Sequence, residues 1–326
     1  MLTQLSITNF RCFRQLDVEL KPLTVLIGPN DTGKSVFQDA VEYLGPSDPS
    51  GLGQLDRFRG DIAGRISVRG TLANGEVRDL ETKRPPQQSH FFGGPLPQPK
   101  PSDFEIQRFQ LPATGVLTGC DGFKQEEVGR LFLERDGRRV AALIDHLLRA
   151  DLEQFLELRN QLRQLVPGFE DLKVETPTPQ ARQIEFVVES GFRIPAQKTS
   201  AGVRLLLFFL ALVHHPIPPR VILLEEPETG IHPKRLQDVM ELLRGISQGK
   251  FGKAPAQVIL TTHSPYLLDY VKPEEDQVLV FQRDDDGSRT AKPVDWSRLK
   301  EFFEGFMLGE VWFNEGEAGL VARGAS

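Results

Sequence analysis

The octapeptide at positions 28–35 has the residue types and spacing of a phosphate-binding loop, hereafter the P-loop. It reads Gly28-Pro29-Asn30-Asp31-Thr32-Gly33-Lys34-Ser35. In such a loop the backbone N–H groups surround phosphate oxygens, the lysine contacts the β- and γ-phosphates, and the serine hydroxyl binds Mg²⁺. Asp31 departs from the usual glycine or asparagine, but aspartate also tolerates left-handed backbone geometry. We therefore predict that all eight residues bind nucleotide and that Ser35 also binds the metal.

A second candidate group is a pair of carboxylates, Glu225 and Glu226, directly after an apolar run at 221–224. In α/β sheets the carboxyl ends of buried strands present catalytic groups. Phosphoryl transfer needs one group to orient hydrated Mg²⁺ and another to polarise the attacking water. We assign Glu225 to the metal and Glu226 to the general base. The alternative is an acidic strand end exposed to water.

Three further segments are Glu225-Glu226-Pro227-Glu228-Thr229-Gly230-Ile231-His232-Pro233, Thr261-Thr262-His263-Ser264-Pro265 and Lys198-Thr199-Ser200-Ala201-Gly202-Val203-Arg204. They resemble motifs of the ABC-type ATPases of the RecF/SMC/OLD group. The segment at 225–233 resembles the extended Walker B motif, the segment at 261–265 the switch histidine, and the segment at 198–204 the signature reduced to Ser-x-Gly. The group usually has aspartate where Glu225 stands, so this chain keeps the charge and lengthens the arm by one methylene.

The resemblance implies roles for further residues. His263 would hydrogen-bond the γ-phosphate and the attacking water, while Ser200 and Gly202 would bind the γ-phosphate held by the opposite subunit of an ATP-sandwiched homodimer. Hydrolysis would then let the pair open. A structural histidine and a helix N-cap are the corresponding alternatives.

Two further assignments also come from the resemblance. Arg11, in the segment 7–13, would lie against the nucleotide, although a simple β-turn with Phe10 and Phe13 in the core is the alternative. A glutamine completing the magnesium shell is expected after the P-loop helix, and Gln54 is the only nearby candidate.

The elements that must position these residues follow from hydrophobic periodicity. Three strands are expected within the first 27 residues, the third ending at the P-loop, and a helix after Ser35 that ends at Gly45-Pro46. Farther along, we expect helices at 140–165 and 199–213 and strands at 184–188, 220–226, 258–262 and 278–281. The predicted fold is α/β, a P-loop NTPase of ABC type with a mixed β-sheet core, an N-terminal β-rich lobe and an inserted helical lid.

Length and composition limit the organisation. At 326 residues we expect one ATPase core, formed by 1–45 together with 170–326, and an inserted β/loop and helical lid region at 46–169. The chain has only two cysteines, Cys12 and Cys120, without a CxxC pair, and its apolar stretches are too short to span a membrane. We therefore expect a cytoplasmic protein without a membrane partner.

The biological role is open between three hypotheses. Only 63 residues follow His263, too few for the TOPRIM nuclease of OLD-type relatives, so the first is an ATPase that drives or gates a separately encoded effector, for example a nuclease in phage defence. The second is a RecF-like DNA-repair ATPase, although a net charge of −6 gives no overall attraction to nucleic acid. Its candidate phosphate contacts are Arg57, Arg59, Arg65, Arg69, Arg130, Arg135, Arg138 and Arg139. The third is a nucleotide-binding switch with little turnover.

Two acidic segments near the C-terminus contain the residue types that bind metal in a TOPRIM nuclease. Residues 284–287 follow an apolar strand and residues 315–317 come close to the end, in the reverse of the TOPRIM order. A hairpin turn is the better interpretation of the first and a tail that of the second.

Overall fold

The computed structural model describes residues 1–45, 65–81, 104–112, 133–179, 181–251, 253–284, 286–302, 305 and 307–321. Its internal packing divides the chain into two units. Unit 1 contains Met1–Gln107, Pro219–Leu223 and Gln257–Ser326, and unit 2 contains Arg108–Pro218 and Leu224–Ala256. These bounds differ from the predicted division into a core and an insertion, which stays a prediction.

Strands and helices alternate along much of the chain. The strands are β1 (Leu2–Phe10), β2 (Phe13–Glu19), β3 (Leu23–Ile27), β4 (Ser67–Leu72), β5 (Val77–Glu81), β6 (Ile106–Gln110), β7 (Phe169–Thr178), β8 (Ala181–Val188), β9 (Arg193–Pro195), β10 (Val221–Glu225), β11 (Gln257–Thr261), β12 (Gln277–Arg283) and β13 (Arg289–Pro293). The helices are α1 (Lys34–Glu42), α2 (Val140–Ala150), α3 (Leu152–Leu165), α4 (Ala201–Val213), α5 (Leu236–Gln248), α6 (Pro265–Leu268), α7 (Trp296–Phe302) and α8 (Leu308–Leu320).

A six-stranded sheet has the order β13-β12-β3-β11-β10-β6. Strand β3 lies between β11 and β12, and both neighbours run parallel to it. All five residues of β3 are buried, as expected for an apolar run covered on both faces of a parallel sheet. The hairpin partner β13 pairs antiparallel with β12, so the sheet is mixed, which confirms the predicted fold class.

The N-terminal lobe of unit 1 is an antiparallel sheet of order β2-β1-β4-β5. Leu5 and Ile7, two residues apart on β1, face inward and are completely buried, as is Phe10 at the end of the strand. They belong to an apolar cluster that also contains Phe37 of α1 and Phe281 of β12, whose rings meet edge to face at 5.5 Å between centroids. The core of unit 1 therefore fixes α1, the helix that follows the P-loop, against the strands.

Unit 2 contains helices α2 to α5 and the antiparallel sheet β7-β8-β9. Helix α4 is buried along most of its length, because residues 204–213 are almost entirely apolar. The helix predicted at 140–165 is two helices, since Asp151 leaves helical geometry at φ −148° and ψ 71°. The Asp151 carboxylate accepts the backbone N–H of Gln154 at 3.3 Å, so this residue caps α3.

The two acidic segments near the C-terminus also have described structure. Gly287 donates its N–H to the carbonyl of Asp284 at 2.8 Å, which closes the β12–β13 hairpin and confirms the predicted turn. Residues 315–317, expected in a tail, lie in α8 instead. In the part of the chain that the structure describes, every helix is too short or too polar to span a bilayer.

Candidate functional site

The P-loop connects the buried strand β3 to α1 and has the backbone conformation that its sequence requires. Gly28 has φ 137° and Gly33 has φ 100°, both outside the region that most side chains accept. Asp31 has φ 61°, so the aspartate adopts the left-handed geometry expected of it. The amide of Phe37 then donates to the carbonyl of Gly33 at 2.8 Å, and the helix begins.

Lys34 points back into the loop. Its ammonium group donates to the carbonyl of Gly28 at 2.7 Å and to that of Pro29 at 2.9 Å, and the residue is only 7% exposed. Thr32 also closes the loop, because its hydroxyl donates to the carbonyl of Pro29 at 2.7 Å. By contrast, four loop residues are exposed to solvent, namely Pro29, Asn30, Asp31 and Ser35. The loop therefore has a rigid inner side and an open outer side.

Neighbouring elements leave no space for side chains at the two loop glycines. A Cβ atom at Gly28 would stand 2.4 Å from the backbone oxygen of Phe281, and one at Gly33 would stand 2.8 Å from the sulfur of Cys12 and from the ring of Phe13. Burial raises the pKa of the Cys12 thiol to about 11, so it is un-ionised at neutral pH and an ordinary packing residue there.

His263 follows β11, the strand that runs beside β3. Thr261 is in register with Leu26, and the amide of Thr262 donates to the carbonyl of Leu26 at 3.1 Å. Both strands are parallel, so within unit 1 His263 emerges at the same sheet edge as the P-loop, with its side chain exposed. The carboxyl edge of a parallel sheet is where α/β proteins bind ligands.

Arg11 lies in the turn between β1 and β2 at φ 48°. Its guanidinium forms an ion pair with Asp39 of α1 and lies over the ring of Phe10 at 5.1 Å. Phe10 and Phe13 are completely buried, as the β-turn alternative expected. Arg11 thus anchors the turn to the P-loop helix, and its contact with nucleotide stays a prediction.

In unit 2, Glu225 is the last residue of β10 and is held by arginines. The Nε and Nη2 groups of Arg108 donate to its Oε1 atom at 2.7 and 2.5 Å. The Nη2 group of Arg135 lies 3.5 Å from the same oxygen. The carboxylate assigned to the metal is therefore charge-compensated by residues that the sequence did not connect with it.

Glu226 is exposed and has φ 43°, a left-handed conformation that is rare for glutamate. Its carbonyl accepts the amide of Thr229 at 3.0 Å, so the chain turns sharply just where β10 ends. Strained backbone of this kind concentrates at functional sites. Strand β10 therefore ends at Glu225, and the exposed Glu226 begins the turn.

A cleft of about 420 Å³ in unit 2 contains both carboxylates. It is lined by Gln110, Leu111, Pro112, Asp136, Glu225, Glu226 and Thr229. Gln110 is the last residue of β6, the neighbour of β10, and lies in this cleft. The prediction of a glutamine soon after the P-loop helix did not include it. Gln54 lies outside the described residues.

Ser200 and Gly202 stand at the start of α4. Ser200 is the N-cap, because its Oγ accepts the amide of Val203 at 3.4 Å, and it is exposed. Both residues line a cavity of about 190 Å³ that also contains His232 and Arg235. The N-terminus of α4 is thus open to an anion, and the side chains of Arg235 and His232 line the same cavity.

Comparisons with known proteins give two family matches and one partial relative. Residues 122–269 match the family described as "AAA domain, putative AbiEii toxin, Type IV TA system", and residues 1–51 match the family described as "AAA ATPase domain". A stretch of 44 residues is 43% identical to the OLD nuclease of Thermus scotoductus, which is 14% of this chain and 8% of that protein.

The fold is similar to that of SMC head domains. One is the SmcHead bound to the C-winged helix domain of ScpA, with a TM-score of 0.59 and 12% identity over 92% of this chain and 99% of that one. Another is the Pyrococcus furiosus Smc head domain with an extended coiled coil, bound to the C-terminal domain of ScpA, with a TM-score of 0.51 and 12% identity over 93% of this chain and 98% of that one. The two family matches and the stretch shared with the OLD nuclease support an ABC-type AAA ATPase of the RecF/SMC/OLD group.

For an ATPase of this group the residues present fit a nucleotide-borne cation. Ser35 offers an exposed hydroxyl and Glu225 a partly exposed carboxylate, both oxygen donors of the kind Mg²⁺ prefers. Among the described residues no group of three or more His, Cys, Asp or Glu side chains could hold a metal ion alone. A Mg²⁺ ion bound by either residue would therefore depend on phosphate oxygens or water for its remaining ligands.

Proposed function

We propose that this chain binds and hydrolyses Mg·ATP and that two copies pair around the nucleotide. The observation that supports this most strongly is the P-loop itself. Two glycines and Asp31 take the positive φ values that turn backbone amides toward a phosphate, and Lys34 lies at the base of the loop. The loop ends at the N-terminus of α1, where the helix dipole favours an anion.

Each remaining site residue takes one role in phosphoryl transfer. Lys34 binds the β- and γ-phosphates, and Ser35 and Glu225 hold Mg²⁺, which neutralises the charge that develops on the phosphates. Glu226 accepts the proton of the attacking water. His263, exposed at the sheet edge beside the P-loop, donates a hydrogen bond to the γ-phosphate.

Pairing is supported by the open N-terminus of α4. A capping serine uses one lone pair for the helix amide and keeps its hydroxyl proton for another acceptor. Ser200 is exposed and can therefore donate to a γ-phosphate presented by a second copy, while the half-buried Gly202 lies beside it at the start of the helix. The two copies would share two nucleotides, and loss of the γ-phosphate contact would release them.

The released pair is proposed to gate a separate effector in the cytoplasm, as part of a defence against phages. Two similarities favour a partner. The matched stretch belongs to a nuclease, and the similar SMC head domains were solved bound to domains of ScpA. The chain corresponds to only a small part of the nuclease, so the effector activity itself is not carried over.

The contacts of the arginines argue against the DNA-repair alternative. On the β4–β5 hairpin, Arg69 pairs with Asp79 at 2.9 Å and Arg65 lies 3.9 Å from Glu81. The other described candidates, Arg135, Arg138 and Arg139, each have a carboxylate partner as well, while Arg57, Arg59 and Arg130 lie outside the described residues. Arginines that already face carboxylates attract phosphates less.

Nucleotide binding tests the proposal directly. We expect the wild-type chain to bind Mg·ATP and Lys34→Ala to lose most of that affinity, while Lys292→Ala, on the exposed face of β13, keeps it. Steady-state hydrolysis should be measured with and without duplex DNA. Equal affinity in Lys34→Ala and wild type would reject the P-loop assignment, stimulation by DNA would favour the repair ATPase, and tight binding without turnover would favour the switch.

A further inference from the structure

We propose that Arg108 is a positioning residue for Glu225, and that it determines which carboxylate oxygen this chain presents to the nucleotide-bound cation. The inference rests on the proposed function, because the cation arrives with ATP. It concerns residues of unit 2 only. It also supplies a physical reason for glutamate at a position where related ATPases usually have aspartate.

The contact between Arg108 and Glu225 is short and shielded. Two guanidinium nitrogens of Arg108 donate to the same oxygen, Oε1, at 2.7 and 2.5 Å. The side chain of Arg108 is 4% exposed and that of Glu225 is 15% exposed. A charge-assisted contact at this burial fixes the rotamer of the carboxylate far more firmly than a surface pair would.

The two carboxylate oxygens of Glu225 have different surroundings. The Oε1 atom accepts from both nitrogens of Arg108 and has Arg135 at 3.5 Å, so its lone pairs are committed to arginine. The cation, or a water molecule of its shell, is thus left with Oε2. Arg108 therefore acts as the outer partner that orients a metal ligand, as hydrogen-bonded groups around metal sites commonly do.

The length of the side chain matters because both strands are fixed. Arg108 lies on β6 and Glu225 on β10, which are neighbours in the sheet. An aspartate at position 225 would withdraw the carboxylate by about 1.5 Å, one carbon–carbon bond, and would lose a contact of 2.5 Å. The contact with Arg108 therefore requires the length of a glutamate side chain at position 225.

The guanidinium of Arg108 brings a positive charge to this carboxylate. This charge offsets that of the carboxylate. The pair as a whole is close to neutral, so it adds little net attraction for the cation beyond that of the phosphates. We therefore expect Arg108 to affect the metal-dependent step more than the binding of ATP itself.

The test compares Arg108→Gln with Arg135→Gln, whose guanidinium reaches the same oxygen from a more exposed position, with 53% of its side chain accessible. Arg108→Gln should lower kcat and raise the Mg²⁺ concentration for half-maximal turnover, each by roughly tenfold or more. The Kd of ATP measured in EDTA should stay within about twofold of wild type, since this affinity depends on the P-loop and not on the contact of Arg108 with Glu225. Arg135→Gln should change all three quantities much less.

A double-mutant cycle separates positioning from a general structural role. Glu225→Asp alone should show the same loss of Mg²⁺ response as Arg108→Gln, and the double variant should lose little more, since either change breaks the same contact. The positioning role of Arg108 would be wrong if the losses of the two single variants multiplied in the double variant. It would also be wrong if Arg108→Gln and Arg135→Gln changed kcat and the Mg²⁺ requirement equally. If the wild-type chain itself fails to bind Mg·ATP, the proposed function is what fails.

A folding defect gives a different result. An Arg108→Gln protein that is merely unstable would lose ATP affinity in EDTA together with turnover, and excess Mg²⁺ would not restore it. Arg108→Lys retains the charge without the paired nitrogens, so its Mg²⁺ requirement should lie between those of wild type and Arg108→Gln. If Arg108→Lys were equal to wild type, charge alone would explain the site and the positioning role would be wrong.

Discussion

The Nε group of Arg289 donates to the backbone carbonyl of Asp31 at 2.6 Å, and so ties the P-loop to the β12–β13 hairpin. The same guanidinium donates through Nη1 to the carbonyl of Gly287 at 2.7 Å, while the backbone amide of Arg289 donates to the carbonyl of Cys12 at 3.2 Å. Asp31 is the loop residue other than glycine that has left-handed geometry. A residue more than 250 positions away in the sequence thus supports the strained peptide of the loop.

Replacing Arg289 by glutamine should weaken nucleotide binding. The lost hydrogen bond frees the Asp31 peptide, and we expect the Kd for Mg·ATP to rise by roughly tenfold, or about 1.4 kcal/mol. Isothermal titration calorimetry measures this change. Arg14→Gln is the control, since Arg14 is 75% exposed and lies 3.7 Å from Asp286, and it should leave the Kd unchanged. Equal affinities of Arg289→Gln and wild type would contradict the support role.

Gly28→Ala should destabilise the protein, because the new methyl group would meet the backbone oxygen of Phe281 at 2.4 Å while φ stays near 137°. Backbone that must shift at such a position costs at least about 2 kcal/mol. Urea denaturation measures the free energy of unfolding. Gly75→Ala, at φ 83° with nothing within 4 Å of the added atom, shares the backbone strain without the clash and should cost only about 1 kcal/mol. Equal losses in the two variants would mean that the clash is relieved.

Glu226→Gln should trap the ATP-bound pair. Loss of the general base is expected to slow hydrolysis by on the order of 10²-fold or more while leaving the phosphate contacts intact. Size-exclusion chromatography with light scattering should then show a dimer of Glu226→Gln with ATP and a monomer without it. Adding Lys34→Ala to this variant should abolish the dimer. Identical sizes with and without ATP in both wild type and Glu226→Gln would reject pairing.

His214 should make the protein less stable in mild acid. Burial lowers its pKa to about 4, and its Nδ1 and Nε2 atoms lie 2.8 Å from the amide oxygen of Gln154 and 3.2 Å from that of Gln161, so the neutral ring donates a hydrogen bond to one of the two. Below pH 6.5 the unfolded chain takes up a proton that the folded chain refuses. Stability from this group is therefore complete above pH 6.5 and falls as the pH drops toward 4, by at most about 3 kcal/mol.

The free energy of unfolding at several pH values between 4 and 7 measures this contribution. His214→Gln should flatten the decline over that range. His146→Gln, which removes a half-buried histidine of α2, is the control for losing a histidine as such. An unchanged slope in His214→Gln would show that another group causes the acid sensitivity.

Local sequence was sufficient to predict the P-loop, the carboxylates at the end of β10 and the strand before His263. In each case an apolar run of strand length ends at residues with a specific chemistry, and neighbours in the chain decide the outcome. Even the positive φ at Asp31 follows from residue type and position. The break at Asp151 was missed, because the apolar stripe continues across it and hides a capping residue in the middle of a helical pattern.

Long-range packing decided the rest. The charge environment of Glu225 comes from Arg108, which is 117 residues away, and Gln110 reaches the cleft only because β6 is the edge strand beside β10. Strand order and ion pairing between distant segments leave no periodic signal in the chain, since they depend on which surfaces meet after folding. The sequence alone therefore predicted which residues would bind phosphate, and the tertiary structure decided which neighbouring side chains contact them.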